Sequence, residues 1–390
     1  MSMISMKKMT ETLNSIGSTK IITFFILILI FKKKQHVFFL ILTPMEKKQR
    51  PPVYYSEYLQ LDKILEAQLP ESEKEGIKAD DEMLFVIIHQ TYELWFKQIL
   101  HEVNIVRDIF KQPSVSDNSP DIYNALHRLK RVCSILRILV EQISVMETMT
   151  PLDFLDFRDL LRPASGFQSI QFKIIEAALG LSYDHRFGKE YYLSQLNEKD
   201  IQRVKDAEAG ESLIVLINRW LERMPFCADA SYWEGANDSK DPFWTAFRER
   251  YASGLSPAEL PNLEMFDRLF VNTEEYPEDR RLSAQASRNA LFIMLYRDYP
   301  LLHLPFELIS ILLEIDEHLS LWRHRHIHMV QRTIGKRIGT GGSTGAGYLK
   351  AAADSHYIFK EIAELTSFLV PRSELPVLPQ KLTQDLCFAR

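Results

Sequence analysis

Residues 82–110, EMLFVIIHQTYELWFKQILHEVNIVRDIF, decide the fold class. Apolar side chains recur at 84, 85, 87, 88, 92, 95, 96, 99, 103 and 106, a three- and four-residue spacing that lines one broad face of an α-helix. Asp80-Asp81 can cap its start. A stripe that wide belongs in a core, so another apolar helix has to cover it. The stretch 121–147 supplies one, repeating leucine, isoleucine and valine at the same spacing after a polar loop over 112–120.

The helical period continues down the chain. Thr150-Pro151 pairs an N-cap residue with a proline suited to the first helical position, which predicts a short helix over 151–161 running into the loop RPASGFQS. Helical spacing returns at 166–181, 198–207, 212–224, 283–296 and from 303 to about 335. Residues 225–261 are polar and punctuated, and read as a surface insertion with one short helix near 244–251. A last helix is expected near 354–369, before a proline-punctuated tail on the surface. No run alternates in the manner of a strand, and no repeat is visible. The expectation is an all-α fold: a single helical domain over 51–390, with an insertion at about 225–261 and a pocket between long helices.

A chain of 390 residues with 46% hydrophobic content can bury a large core. A formal charge of −5 gives no global attraction to nucleic acid or anionic lipid, and no nucleic-acid partner is expected. Cys133, Cys227 and Cys387 are far apart and odd in number, which argues against a disulfide framework and for a reducing, cytoplasmic setting. Residues 1–50 are apolar and basic and are read as an extra segment outside the fold. The run IITFFILILIF at 21–31 is about half a bilayer long and is followed by three lysines. An upstream extension with initiation near Met45 is preferred over a membrane anchor or a part of the fold, so a membrane partner is expected only if the segment is genuine.

Three groups of residues could carry chemistry. His324, His326 and His328 lie on one predicted helix. Leu319, Trp322, Arg323, Met329, Val330 and Thr333 stand three, four or seven positions from His326, which places that residue mostly on the apolar stripe. His324 and His328 face the polar side, where solvated side chains are a better reading than a zinc pair. A buried His326 could simply be satisfied by a carbonyl and a water, or it could be a single axial ligand to haem. His89 has Phe85, Tyr92, Glu93 and Phe96 at i−4, i+3, i+4 and i+7, which suits a planar aromatic ligand but also an ordinary aromatic core. HQTYE is not HExxH, so a zinc-protease mechanism is excluded on pattern. Arg158, between Phe154, Phe157 and Leu161, could bond a carboxylate bidentately or merely pair with Asp156, Asp159 or a carboxylate on another helix.

The glycine-rich run that follows the histidines, with Gly335, Gly339, Gly341, Gly342, Gly345 and Gly347, matches neither phosphate-binding pattern. It is read as a surface loop or as a lid in which Thr340 and nearby amides engage a small polar ligand.

Taken together, FVIIHQTYELWFKQI, FRDLLRPASGFQSIQFK, WRHRHIHMVQR and GTGGSTGAGYLK, in that order, resemble the tryptophan 2,3-dioxygenase family, over the span from Tyr54 to about Arg372. The resemblance implies a dioxygenase with one haem b per subunit that opens the indole pyrrole ring of L-tryptophan with O2, giving N-formyl-L-kynurenine, the first step of the kynurenine pathway. It makes His326 the axial ligand of the haem iron and His89 the distal residue that hydrogen-bonds the indole N–H. Phe85 becomes a pocket wall, Arg158 the clamp on the substrate carboxylate and Thr340 a contact for the amino-acid moiety, with Phe154 beside them. The segment YSEYLQLD, through Tyr55, Tyr58 and Leu59, is implied to reach a neighbouring pocket in a homotetramer built as a dimer of dimers. Phe154 stands where many relatives carry tyrosine, and Ala346 where an aromatic is common, which would loosen the lid. A dioxygenase for another indole, a haem- or tryptophan-binding sensor without turnover, and a helical scaffold that binds no haem remain the alternatives.

Overall fold

The computed structural model describes residues 51–387 apart from 116–118, 188, 228, 234–240, 273, 275 and 340–345. The apolar run at 21–31 and Thr340 therefore lie outside the described residues. Regular structure among those residues is helical throughout, as the spacing predicts. No helix among them is long and apolar enough to cross a membrane. The chain divides into a short N-terminal unit ending at Ala67 and a body that starts at Gln68. In the first unit the helices Tyr55–Leu59 and Leu61–Leu65 are separated by Gln60, whose left-handed backbone (φ 53°) breaks the run. Tyr55, Tyr58 and Leu59 are exposed there.

Three long helices organise the body. Helix α1 (Asp81–Phe110) buries Ile88, Phe96, Ile99, Val103, Val106 and Phe110, the stripe read from the sequence. Helix α2 (Pro120–Met146) packs its own apolar face along α1 and along the last of the three. Between them in sequence come α3 (Pro151–Phe157), α4 (Ile170–Leu179), α5 (Leu213–Glu222), α6 (Pro242–Gly254) and α7 (Ala284–Leu295). A capping box starts α3: Thr150 accepts from the Asp153 N–H, and the Asp153 carboxylate accepts from the Thr150 N–H. The third long helix, α8 (Pro300–Ile334), has 35 residues and spans roughly 50 Å. Its first half sits in the core through Leu302, Leu308, Leu312 and Ile315, and its last turns leave that core to border a cavity.

Three expectations need correction. Helix α6 does not lie on the surface: Phe243, Trp244, Phe247 and Tyr251 are buried in an aromatic cluster with Phe266, Phe270 and Phe292. Their spacing is itself a helical stripe, obscured by the polar residues before it. The helix expected over 354–369 is only a short helix at Lys360–Glu364 followed by a tight turn at Leu365–Phe368, while a separate helix, α9 (Ala346–Ser355), begins inside the run read as a glycine-rich loop. The break falls where the buried Asp316 carboxylate accepts the Ile358 and Phe359 N–H groups at 3.0 and 2.5 Å, an interaction available only once α8 is alongside. Finally, the C-terminal helix Gln380–Leu386 is docked by Leu382 and Leu386, both fully buried.

Gly180 ends α4 in a conformation that L side chains avoid (φ +136°), and a Cβ there would stand 2.3 Å from Ile214 Cγ2 on α5. Gly180→Ala is expected to cost about 2–4 kcal/mol in denaturant unfolding, combining positive-φ strain with overpacking. A loss below about 0.5 kcal/mol would contradict this close docking.

Candidate functional site

A cavity of about 630 Å³ lies between α1, α3, α4, the end of α8, α9 and the loop from Leu161 to Ser169. That volume is within the range of small-molecule and cofactor sites. Its middle is aromatic. Phe85, Phe154 and Phe157 form a cluster with ring centroids 5.4–5.7 Å apart, and Phe172 packs on Trp322 at 4.9 Å.

Two imidazoles face into this apolar space, His89 from α1 and His326 from α8. Burial, with a smaller contribution from the nearby His89, lowers the His326 pKa to about 4. His326 is therefore neutral at physiological pH, with its lone pair available. Its ring lies parallel to Trp322, one turn earlier, with centroids 5.4 Å apart. Among the described residues neither of its nitrogens has a hydrogen-bond partner. His324 bonds the Ser320 carbonyl region instead (2.9 Å), and His328 is exposed, so the helix phase selects one histidine of the three.

His89 is exposed in surface terms because its ring opens onto the cavity, yet the protein packed around it is dense enough for burial to lower its pKa. Its Nδ1 is 2.7 Å from the Phe85 carbonyl oxygen. A carbonyl can only accept, so neutral His89 carries its proton on Nδ1 and leaves Nε2 as an acceptor. The Phe85 ring packs 4.1 Å from the imidazole and restricts its rotation.

Beyond Trp322 the cavity wall becomes charged. Lys173, Glu176, Arg186, Arg323 and His356 all border it. The buried Glu176 carboxylate is shared by Arg186 (2.5 Å) and Arg323 (2.6 Å), and burial of the acid is outweighed by these guanidinium groups, which bring its pKa down to about 2. Among the described residues Lys173 has no such pair. It is 7% exposed, and its Nζ rests 4.5 Å from the centre of the Tyr192 ring. Trp322 Nε1 is also buried, near the Tyr92 hydroxyl but without a well-formed hydrogen bond among the described residues.

Arg158 is buried, as its aromatic neighbours suggest, but it does not itself line the cavity. Its Nη2 donates to the Ile338 carbonyl, directly before Gly339 in the cavity wall. The alternative pairing with Asp159 is long (3.8 Å) and involves an exposed carboxylate, while Nε has no partner among the described residues. The structure thus brings Phe85, His89, Phe154 and His326 together around one space and sets Arg158 just behind its wall. Tyr55, Tyr58 and Leu59 belong to the N-terminal unit.

A flat macrocycle with two carboxylates and one axial histidine matches this lining. Neutral His326 offers a nitrogen, the aromatic walls suit the ring, and Lys173 Nζ and Trp322 Nε1 are donors that could meet the carboxylates. Neither donor stands out from the sequence, since a lone lysine is usually solvated. Trp322 was placed near His326 by its i−4 spacing, without a role.

A family model described as tryptophan 2,3-dioxygenase matches residues 42–258 and 264–369. A tryptophan 2,3-dioxygenase of Alteromonas mediterranea is 44% identical over 86% of this chain and 98% of its own length. One of Dictyostelium discoideum is 41% identical, covering 86% of this chain and 88% of its own length. Tryptophan 2,3-dioxygenase B of Danio rerio is 36% identical over 84% of both chains.

Burial lowers Lys173 from its ordinary 10.5 to about 8, with Glu176 opposing the shift. An ammonium depressed in this way costs stability in full below pH 8 and not at all above about pH 10.5, where folded and unfolded forms are both neutral. Lys173→Met is therefore expected to raise the melting temperature of the ligand-free protein at pH 7, by a margin that shrinks as pH rises from 8 toward 10.5. A margin that is absent, or that grows with pH, would show that the ammonium is compensated.

Proposed function

This chain belongs to the tryptophan 2,3-dioxygenase family, and we propose that it is the haem-dependent enzyme that opens the indole pyrrole ring of L-tryptophan with O2 to give N-formyl-L-kynurenine. The observation that carries this reading is the pairing of two neutral imidazoles across one aromatic cavity. One has no hydrogen bond among the described residues, and the other has its tautomer set by a backbone carbonyl. Haem b, one per subunit, would bind through its iron to His326 and supply the activation of dioxygen.

The protein's own part is then mainly positioning. Lys173 and Trp322 Nε1 are suited to hold the macrocycle's carboxylates. His89 accepts the indole N–H at Nε2 and so fixes the plane of the substrate. It need not remove that proton, because the indole N–H is a very weak acid. Phe85 and Phe154 form walls that exclude water, and Phe154 brings no hydroxyl to the site.

Arg158 would clamp the substrate carboxylate by exchanging the neutral Ile338 carbonyl for a charged acceptor, a bond roughly twice as strong. Thr340 is assigned to the amino-acid end by the resemblance alone. The assembly is read as a homotetramer, a dimer of dimers in which Tyr55, Tyr58 and Leu59 reach a neighbouring pocket.

The chain expressed with haem should show a Soret band, and after anaerobic reduction should convert L-tryptophan and air to formylkynurenine. Spectral perturbation by L-tryptophan without product would indicate a sensor instead. His326→Ala is expected to lose the haem or its normal spectrum, whereas His324→Ala and His328→Ala keep both. Loss of haem in all three would overturn the choice of His326.

A neutral hydrogen bond is worth about 0.5–1.5 kcal/mol net, so His89→Ala should keep haem and weaken L-tryptophan binding by roughly 2- to 10-fold. Tryptophan methylated on the indole nitrogen should bind poorly to the wild type and lose that handicap in His89→Ala. An unchanged preference between the two ligands would remove His89 from this role.

A further inference from the structure

Glu176 is 4% exposed and stands in the cavity wall on α4, facing the helix that carries His326. Extensive packing does not join α4 to α8, because the cavity lies between them. Among the described residues, an aromatic and an ionic side-chain contact bridge the gap. The aromatic one is Phe172 on Trp322 at 4.9 Å. The other is ionic: Arg323, one turn before His326, donates from Nη2 to Glu176 Oε1 at 2.6 Å and from Nη1 to the His356 carbonyl at 3.0 Å.

The aromatic contact tolerates sliding, since dispersion has little directionality. The guanidinium, in contrast, is a planar fork whose two bonds run to acceptors on different elements, which fixes the roll of α8 about its own axis. That roll matters at His326. Side-chain atoms lie roughly 5–6 Å from a helix axis, so a rotation of about 10° displaces an imidazole by about 1 Å. Functional constellations tolerate displacements of only about half that.

Stability alone does not explain the arrangement. An enclosed ion pair is seldom better than a well-packed apolar substitute of the same volume, because two charges must first be stripped of water. What the ion pair supplies, and an apolar contact does not, is direction. We propose that Glu176, acting through Arg323, is the positioning residue of His326. It sets the orientation that the imidazole presents to the iron. This rests on the reading that His326 is the axial ligand.

The other partner of the same carboxylate provides the control. Arg186 donates to Glu176 Oε2 at 2.5 Å and lies over the Tyr192 ring at 3.9 Å. It belongs to the same ionic cluster but does not touch α8 through any recorded bond.

The test uses the haem-loaded full chain, with three readouts: the iron–imidazole stretching band of the ferrous form by resonance Raman, the rate of haem transfer to excess apomyoglobin, and the melting temperature. Glu176→Gln and Arg323→Lys are expected to shift or broaden the band and to speed haem loss by about 10-fold or more, the size typical of lost outer-shell support. Arg186→Gln is expected to lower the melting temperature while leaving the band at its wild-type position. If Glu176→Gln fails to fold, Arg323→Lys decides the matter, because lysine keeps the charge but cannot bridge both acceptors.

The proposal is overturned if all three variants only lower the melting temperature, or if Arg186→Gln moves the band as far as Arg323→Lys does. A wild-type chain that takes up no haem is a different result. It is visible before any variant is made, and it would bring down the reading of His326 together with this one.

Discussion

A cavity of about 630 Å³ inside a helical body has to be held open. Its lining gives up the close contacts that stabilise the rest of the interior, and the surrounding helices would gain by collapsing into the space. The long helices resist by being anchored elsewhere. α1, α2 and the first half of α8 share one continuous apolar core, and the last turns of α8 run on along the cavity, where Met329 and Ile334 pack on a smaller cluster of Ile88, Met146, Phe154 and Phe157. About three turns before its C-terminus, Arg323 ties α8 to α4 through the Glu176 carboxylate, which Arg186 also holds. Dense packing on one side and a directional ion pair on the other together leave a stable opening.

The electrostatics of the opening follow from the same division. Its middle is apolar enough to keep His89 and His326 neutral, which is the state required of a hydrogen-bond acceptor and of a metal ligand. Its margins hold two buried cations that form no ion pair with a buried carboxylate among the described residues, Arg158 and Lys173. Uncompensated positive charge beside a neutral aromatic slot favours ligands that are flat in the centre and anionic at the edge. An aromatic amino acid and a dicarboxylate macrocycle both have that form, which is why one cavity can be read as serving both.

Much of this was legible in the sequence wherever a residue's meaning depends on its own helix. The phase of α8 singles out His326 from His324 and His328, and the spacing around His89 puts Phe85 one turn before it; both hold in three dimensions. Readings failed where polarity was averaged over a stretch. Phe243, Trp244 and Phe247 were hidden among polar neighbours, although their spacing was helical and they lie in the core. The break after α9 was invisible because its cause, Asp316, is some forty residues away in sequence. Arg158 was placed correctly among aromatics, but its bond to the Ile338 carbonyl could not be foreseen.

The sequence by itself determined the helices, their buried faces and the one histidine of three that turns inward. Periodicity is a local property, and each apolar stripe can be read without knowing its partner. Tertiary structure alone decided that Trp322 Nε1 and Arg158 Nε lack a well-formed hydrogen bond among the described residues, and that the Lys173 ammonium rests on the Tyr192 ring. It also decided that Glu176 reaches the helix that carries His326. A charge or a donor acquires its chemical meaning from what stands opposite it, and across this cavity those partners come from helices far apart in the chain.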